Sequence, residues 1–410
     1  MPMPLTSEPS EVPLTGSPRG PTILLLAGEA SGDQHGAHVA RALKDLIPGV
    51  RLVGMGGSRM RDEGVDLFAE LKELAVMGFA EVLARLPYFL ALERRLTDLL
   101  ARGEIDLMLP IDYPGFNLRL AQTAHRLRIP VVYYIAPQVW AWKPHRAEVL
   151  ARVADRIAVI LPFEVPIFEA VGGRVYDVGH PLLDETPAIA SRPVFSAIAG
   201  LDPARDILAV FPGSRAQELR RHLSPFLGAA DELVSRRPGL QVAVARAPGM
   251  ERGLLEAELT HRSPDVFRVV EDGAALLHHA RVALVKSGTS TLEAALAGVP
   301  FVVAYRTHPV SWKIAQRLVR VPHIALANLV AEDRVVPELL QDEAVPSRLA
   351  DALAPLFDDG PKRAQMLKGL AGVRARLGEP GAADRVAALV AEVLAERADR
   401  AALRARRRVQ

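Results

Sequence analysis

The chain contains no cysteine. Thiol catalysis, thiolate metal sites and disulfides are excluded together, and the absence fits a cytoplasmic protein. Asp-x-Asp occurs nowhere, so the carboxylate pair that commonly holds a divalent cation beside a diphosphate is missing, and no metal or other cofactor is expected. Net charge is scarce as well. Fifty Lys and Arg against 48 Asp and Glu leave +2, too little for a nucleic-acid surface covering a whole face. The apolar run that begins at Ile23 stops at Gly28, too short to cross a bilayer, so any membrane contact is peripheral. Residues 1–20 hold proline, serine and glycine without the basic start or apolar core of a signal peptide; they read as a disordered leader. No internal sequence repeat is visible.

What is present is length and apolar content. With 410 residues, half of them hydrophobic, the chain exceeds one ordinary core and suggests two or three domains. Apolar runs at 22–27, 50–53, 105–111, 131–136, 157–161 and 174–178 read as strands, with a helix after the first running to about Leu46. A proline-, alanine- and serine-rich stretch at 183–203 lacks periodicity and marks a boundary. Alternation then restarts through 207–211, 240–245, 266–270, 282–285 and 301–304. Such alternation gives parallel sheets with right-handed crossovers. The expected division is a leader (1–20), an N-terminal Rossmann-like domain (21–185), a C-terminal Rossmann-like domain (186–380), and a long C-terminal helix with an arginine-rich tail (381–410).

Polar residues gather where strands end. After 282–285 the chain reads Lys286-Ser287-Gly288-Thr289-Ser290, with Glu293 one turn into the next helix. Thr289 or Ser290 with Glu293 fits a capping box; the same residues fit a diphosphate cradle, with Glu293 accepting from a ribose diol. After 207–211 comes Pro212-Gly213-Ser214-Arg215, a common turn that also offers a fixed cation fork to phosphate oxygens. Asp112 ends the strand 105–111. Open α/β sheets bind ligands beyond the carboxyl ends of their strands, which suits a reactive carboxylate there, although aspartate also caps helices. Gly28 to Asp33 (GEASGD) follows the first strand, but it is neither Gly-x-Gly-x-x-Gly nor a P-loop, so a generic dinucleotide or ATP site is unsupported. Trp140 and Trp142 beside Lys143, His145 and Arg146 suit sugar stacking or plain loop packing. His180 reads first as structural.

The combination of PGSR, SGTSTLE, Ala294-Ala295-Leu296 and Asn328-Leu329 resembles the nucleotide-binding half of lipid-A-disaccharide synthase, over about 23–340. The N-terminal turn GEASGD, ELAVMG at 73–78, Ile-Asp-x-Pro at 111–114 and PQVWAW at 137–142 match the same family. The resemblance implies two Rossmann-like α/β domains with parallel sheets facing across a cleft, the GT-B type. It further implies an inverting transfer from UDP-2,3-diacylglucosamine to 2,3-diacylglucosamine 1-phosphate, giving lipid A disaccharide 1-phosphate and UDP. Asp112 would be the general base. Ser31, Gly32, Asp33, Trp140 and His180 would meet the acceptor, and Gly213, Ser214, Arg215, Ser287, Gly288, Thr289, Glu293 and Asn328 the nucleotide. Phe79, Val82, Leu83 and Leu86 would contact acyl chains or the inner face of the cytoplasmic membrane; their helical spacing also suits a core helix. The family also implies homodimers. Gly115, Lys286 and Ala327 depart from its pattern, which leads one to expect aspartate, a small residue and proline. Two other readings stand beside it, a UDP-N-acetylglucosamine epimerase sharing the nucleotide half and a sensor that binds a sugar nucleotide without turnover.

Overall fold

The computed structural model describes residues 20–71, 86–185, 187–250, 252–309, 312–313, 316 and 321–409. The leader expected at 1–20 therefore lies, apart from Gly20, outside the described residues, as do Phe79, Val82 and Leu83. The chain divides into two compact units, residues 1–184 with 379–410 and residues 185–378.

The first unit is built on seven parallel strands: β1 (Thr22–Ala27), β2 (Arg51–Gly56), β3 (Asp66–Glu70), β4 (Leu107–Ile111), β5 (Val132–Tyr134), β6 (Arg156–Val159) and β7 (Val175–Asp177). They lie in the order β3-β2-β1-β4-β5-β6-β7. Helices cover both faces, so the central strands need apolar residues at successive positions rather than at alternate ones, and every residue of β1 is buried. Leu24 and Leu26 enter the core on one face, Ile23 and Leu25 the core on the other.

The second unit repeats the design with β8 (Ile207–Phe211), β9 (Gln241–Ala245), β10 (Phe267–Val270), β11 (Val282–Lys286), β12 (Phe301–Tyr305) and β13 (Glu338–Leu340), in the order β10-β9-β8-β11-β12-β13. In both sheets the strand order reverses beside the first strand, between β1 and β4 and between β8 and β11. Crossovers leave in opposite directions there, which opens a crevice at the strands' carboxyl ends.

The helix Ala382–Val409 belongs to the first unit. Val386 and Val390 are fully buried in the core with Ile23, Leu109 and Val132. Asp184 receives the N–H groups of Gly381 and Ala383, satisfying donors that the helix start would leave open. Buried Arg156 pairs with Glu396 two turns further along.

Several expectations shift. β5 ends at Tyr134, short of the expected 136, because Ile135 takes a φ of +60°, although its N–H still completes the ladder to Ala158 O. β2 runs on to Gly56, past the expected 53. Pro87 is the second residue of a helix, Leu86–Ala101, where a missing N–H costs nothing. Leu86 is the first residue of that helix.

Candidate functional site

Asp112 follows β4 at the reversal point of the first sheet. Asp112 and Tyr113 both have φ of +49°, a left-handed conformation that side chains other than glycine rarely adopt and that clusters at functional sites. Its surroundings hold it there. The Asp112 carbonyl accepts from Asn117 Nδ2 at 2.7 Å and from Tyr133 Oη at 2.9 Å, and its N–H donates to Tyr134 O at 2.9 Å. Asn117 is fully buried and also reaches the carbonyl of Leu26, tying β1 to the turn. Tyr113 lies over Gly28, where a Cβ would come within 2.3 Å of the ring. Burial pushes the Asp112 carboxyl up to about 6, and Glu29 adds to the shift, while a backbone bond from Tyr113 offsets part of it. A carboxylate with that affinity for protons is ionised at neutral pH and still basic enough to accept one.

The other residues expected around it divide. Ser31 is exposed in the first turn of the helix Ala30–Leu46. Gly32 lets that helix approach β1, since a Cβ there would lie 3.3 Å from Ala27 Cβ. Asp33 is engaged within its own unit. Its carboxylate accepts from the backbone N–H groups of Gly57, Arg59 and Met60 at 2.7, 3.2 and 3.1 Å, so it caps the short helix Ser58–Asp62. Gly57 is obligatory for that contact, a Cβ there falling 2.5 Å from Asp33 Oδ2. Trp140 is engaged similarly. Its indole donates to Glu164 at 3.1 Å and meets the Phe163 ring edge-on, which packs the loop. Trp142 is the more open indole, 49% exposed with Lys143 over its face at 4.3 Å. His180 is buried, and its Nδ1 accepts from Leu182 N at 3.2 Å; burial, with His35 nearby, pulls the imidazole down to about 3. It is neutral at physiological pH and unsuited to pairing with a phosphate as a cation.

In the second unit the loops after β8 and β11 flank the corresponding reversal. Gly213 has a φ of +126° and Gly288 of +152°. Arg215 starts the helix Ala216–Arg236 with its side chain 73% exposed. Ser287 Oγ donates to Ile324 O at 2.8 Å, which fixes the loop, and Thr289 is exposed. Of the two capping candidates, Thr289 makes no side-chain cap bond at the start of the helix Ser290–Leu296. Burial raises the Glu293 carboxyl, and a hydrogen bond from Ser290 partly offsets that. Asn328 is engaged within the second unit. It is completely buried, its Nδ2 donates to Val336 O and Glu338 Oε1, and its Oδ1 accepts from Val336 N. Those three bonds tie the start of the helix Leu326–Ala331 to the strand β13.

The family model described as lipid-A-disaccharide synthetase matches residues 23–385. A lipid-A-disaccharide synthase of Anaeromyxobacter sp. (strain K) is 43% identical over 373 residues, covering 91% of this chain and 97% of its own. The chain belongs to the lipid-A-disaccharide synthase family. The synthase of Myxococcus xanthus is 40% identical over 378 residues, with 91% of this chain and 98% of its own covered. Among solved structures, the glycotransferase of kitacinnamycin aligns with a TM-score of 0.62 at 18% identity (92% and 99% of the two chains). A putative UDP-N-acetylglucosamine 2-epimerase from Listeria monocytogenes aligns with 0.61 at 13% identity (90% and 94%). At such identities the likeness is one of fold, the two-Rossmann GT-B class. As a lipid-A-disaccharide synthase family member, the chain is a hexosyltransferase that forms the lipid A disaccharide.

The departures from the family pattern now have surroundings. Gly115 is exposed with open space where a Cβ would go, and Ala327 is buried inside the helix Leu326–Ala331. Lys286 Nζ donates to Glu218 Oε1 at 2.9 Å. Reading the sequence singled out neither Glu218 nor Glu29. Glu218 lies four residues past Ser214 on a helix, a spacing that returns a side chain over the preceding loop. Glu29 had a signal too, a carboxylate at the end of β1 beside the strand that carries Asp112.

Proposed function

We propose that the protein transfers the sugar of UDP-2,3-diacylglucosamine, with inversion, to the 6-hydroxyl of 2,3-diacylglucosamine 1-phosphate. Asp112 is the base. The acceptor hydroxyl is a poor nucleophile at neutral pH; as its oxygen attacks C1 from the face opposite UDP, its proton passes to the Asp112 carboxylate. The bond from C1 to the diphosphate oxygen breaks, and UDP departs carrying the electron pair. Arg215 and the N–H groups at the start of the 21-residue helix Ala216–Arg236 offset the charge that develops on it. Gly213 and Gly288 let the diphosphate approach the backbone, and Glu293 accepts from the ribose diol.

The observation that carries this reading is the Asp112 carboxyl, raised to about 6 and held in a left-handed backbone at the reversal point of its sheet. A residue kept only as a cap would need neither feature. Membrane contact is peripheral in this proposal, through the stretch 79–86 that precedes exposed Leu90. Among the described residues no helix is long and apolar enough to cross a membrane. The test is to incubate purified protein with both acylated sugars and follow products by mass spectrometry. A disaccharide monophosphate appearing in step with UDP is expected. UDP release without disaccharide would reject the acceptor assignment.

A further inference from the structure

In strand order β11 corresponds to β4, so the place that holds Asp112 in the first sheet is taken in the second by the Lys286–Ser287 strand end. A lysine there, with its side chain only 17% exposed, needs an anionic partner, and it has one in Glu218, itself 16% exposed. Glu218 Oε1 accepts from Lys286 Nζ at 2.9 Å and lies 3.8 Å from Arg215 Nη1. Its other oxygen accepts the Ser214 N–H at 2.9 Å. The carboxylate lies directly on Gly213, where an added Cβ would meet Oε2 at 2.7 Å. Lys286 Nζ is also 3.5 Å from the place a Cβ would take on Gly288, so one ammonium borders both glycine loops. A single carboxylate thus gathers an ammonium, a guanidinium and a loop N–H. Those are the donors that bind phosphate oxygens elsewhere, and a carboxylate presents two oxygens to them as a phosphate would.

We propose that Lys286 binds the diphosphate of the sugar-nucleotide donor, and that Glu218 holds the ammonium and the Ser214 N–H in position until the diphosphate takes them over. The inference rests on the reading of the second unit as the nucleotide site and adds to it a cation that the family pattern does not lead one to expect. Lysine suits the exchange. Its charge is compact and rides on a flexible stem, so it can turn from carboxylate to phosphate without moving the backbone, where the planar arginine fork would be tied to one geometry. Glu218 remains beside the loop as the counter-charge when the site empties.

The test compares ligands with and without phosphate. UDP is titrated calorimetrically, and uridine binding is followed by ligand-observed NMR, for the wild type, Lys286→Met, Arg215→Ala and Glu218→Gln. Lys286→Met should weaken UDP roughly tenfold to a hundredfold, the range of a charge-assisted hydrogen bond, and leave uridine unchanged. Glu218→Gln keeps an acceptor for the Ser214 N–H but removes the competing charge, so UDP should bind a few-fold more tightly. Wild-type UDP affinity in Lys286→Met, with Arg215→Ala impaired, would overturn the role of Lys286 while the nucleotide site stands. Equal losses for UDP and uridine, with a lower melting temperature, would show that the lysine only supports the loops. Weaker UDP binding in Glu218→Gln would remove the placeholder. A wild-type protein that binds no UDP would reject the nucleotide site and this proposal with it.

Discussion

At the reversal point of the first sheet, β1 and β4 end in Gly28-Glu29 and Asp112; at the same point of the second, β8 and β11 end in Pro212-Gly213-Ser214-Arg215 and Lys286-Ser287-Gly288. One architecture is dressed with opposite charge. The first crevice gathers carboxylates and raises the proton affinity of one by burial. The second gathers cations and N–H groups around glycines with positive φ. A shared fold positions groups beyond strand ends but does not choose their chemistry, which belongs to the few residues placed there. In the proposed reaction the division of labour is between a base and a diphosphate holder, and it can be attacked from either side.

The largest effect is expected at Asp112. Asparagine tolerates the left-handed backbone and keeps the shape, but cannot take the proton. Asp112→Asn should lower kcat by about a hundredfold or more while UDP affinity is unchanged. In the wild type kcat/KM should fall below a pH of about 6 as the carboxylate is protonated, and the variant should lose that limb. Stability should move the other way. With a folded-state pKa near 6 against an ordinary 3.8, the proton-linked stabilisation is present below 3.8 and lost as pH rises through 6. Above pH 6 the ionised, desolvated carboxylate is a burden of at most about 3 kcal/mol, and Asp112→Asn should melt higher there. A variant that turns over normally would end the claim that this crevice does the chemistry.

Arg215 tests the other side. Arg215→Ala should weaken UDP by roughly 1.5–3 kcal/mol in calorimetry, with the Asp112 pH limb still present in residual turnover. Loss of the limb would mean that the two halves cannot be separated as binding and chemistry.

Asp33 sharpens the comparison, because its carboxylate belongs to the first crevice's sequence motif yet accepts three backbone N–H groups. Asp33→Ala leaves the N–H groups of Gly57, Arg59 and Met60 without their acceptor, so unfolding free energy should drop by about 1–3 kcal/mol. Turnover of the folded fraction at low temperature should be preserved. A selective loss of kcat in a stable protein would instead place Asp33 in the acceptor site.

The fate of Asp33 illustrates what was legible. The central strands of both sheets could be read because strands buried on both faces are continuous apolar runs. The edge strands β3 and β13 could not, since Asp66–Glu70 is only half buried and Glu338–Leu340 is three residues long. The loops that end strands announced themselves by glycine, proline and polar atoms. Side-chain direction did not. Asp33 and Asn328 belong to the expected motifs, yet one turns to the helix at Ser58 and the other to β13, choices made by tertiary contacts. The left-handed turn at Asp112 was equally hidden, because it is imposed by Asn117, Tyr133 and the ring of Tyr113 over Gly28 rather than by a local glycine.

The smallest effect should come from putting back the carboxylate that the family pattern leads one to expect at Gly115. This position is the second residue of the helix Pro114–Arg126, its φ is not in the left-handed range, and a Cβ there would meet nothing within 4 Å. Aspartate avoids the backbone-entropy cost of glycine and places a negative charge in the first helical turn, together worth about 0.3–1 kcal/mol. Arg119, one turn on, already donates to the Gly115 carbonyl at 2.6 Å and is within reach of an i,i+4 pair. Gly115→Asp should therefore raise the melting temperature slightly. Because Asp112 is three residues away, any charge felt there would add to that of Glu29 and shift the acid limb upward, with kcat at neutral pH within about twofold of wild type. A tenfold change in kcat, or a changed KM for the acceptor with the limb unmoved, would show that this position meets substrate, and the first crevice would then bind as well as react.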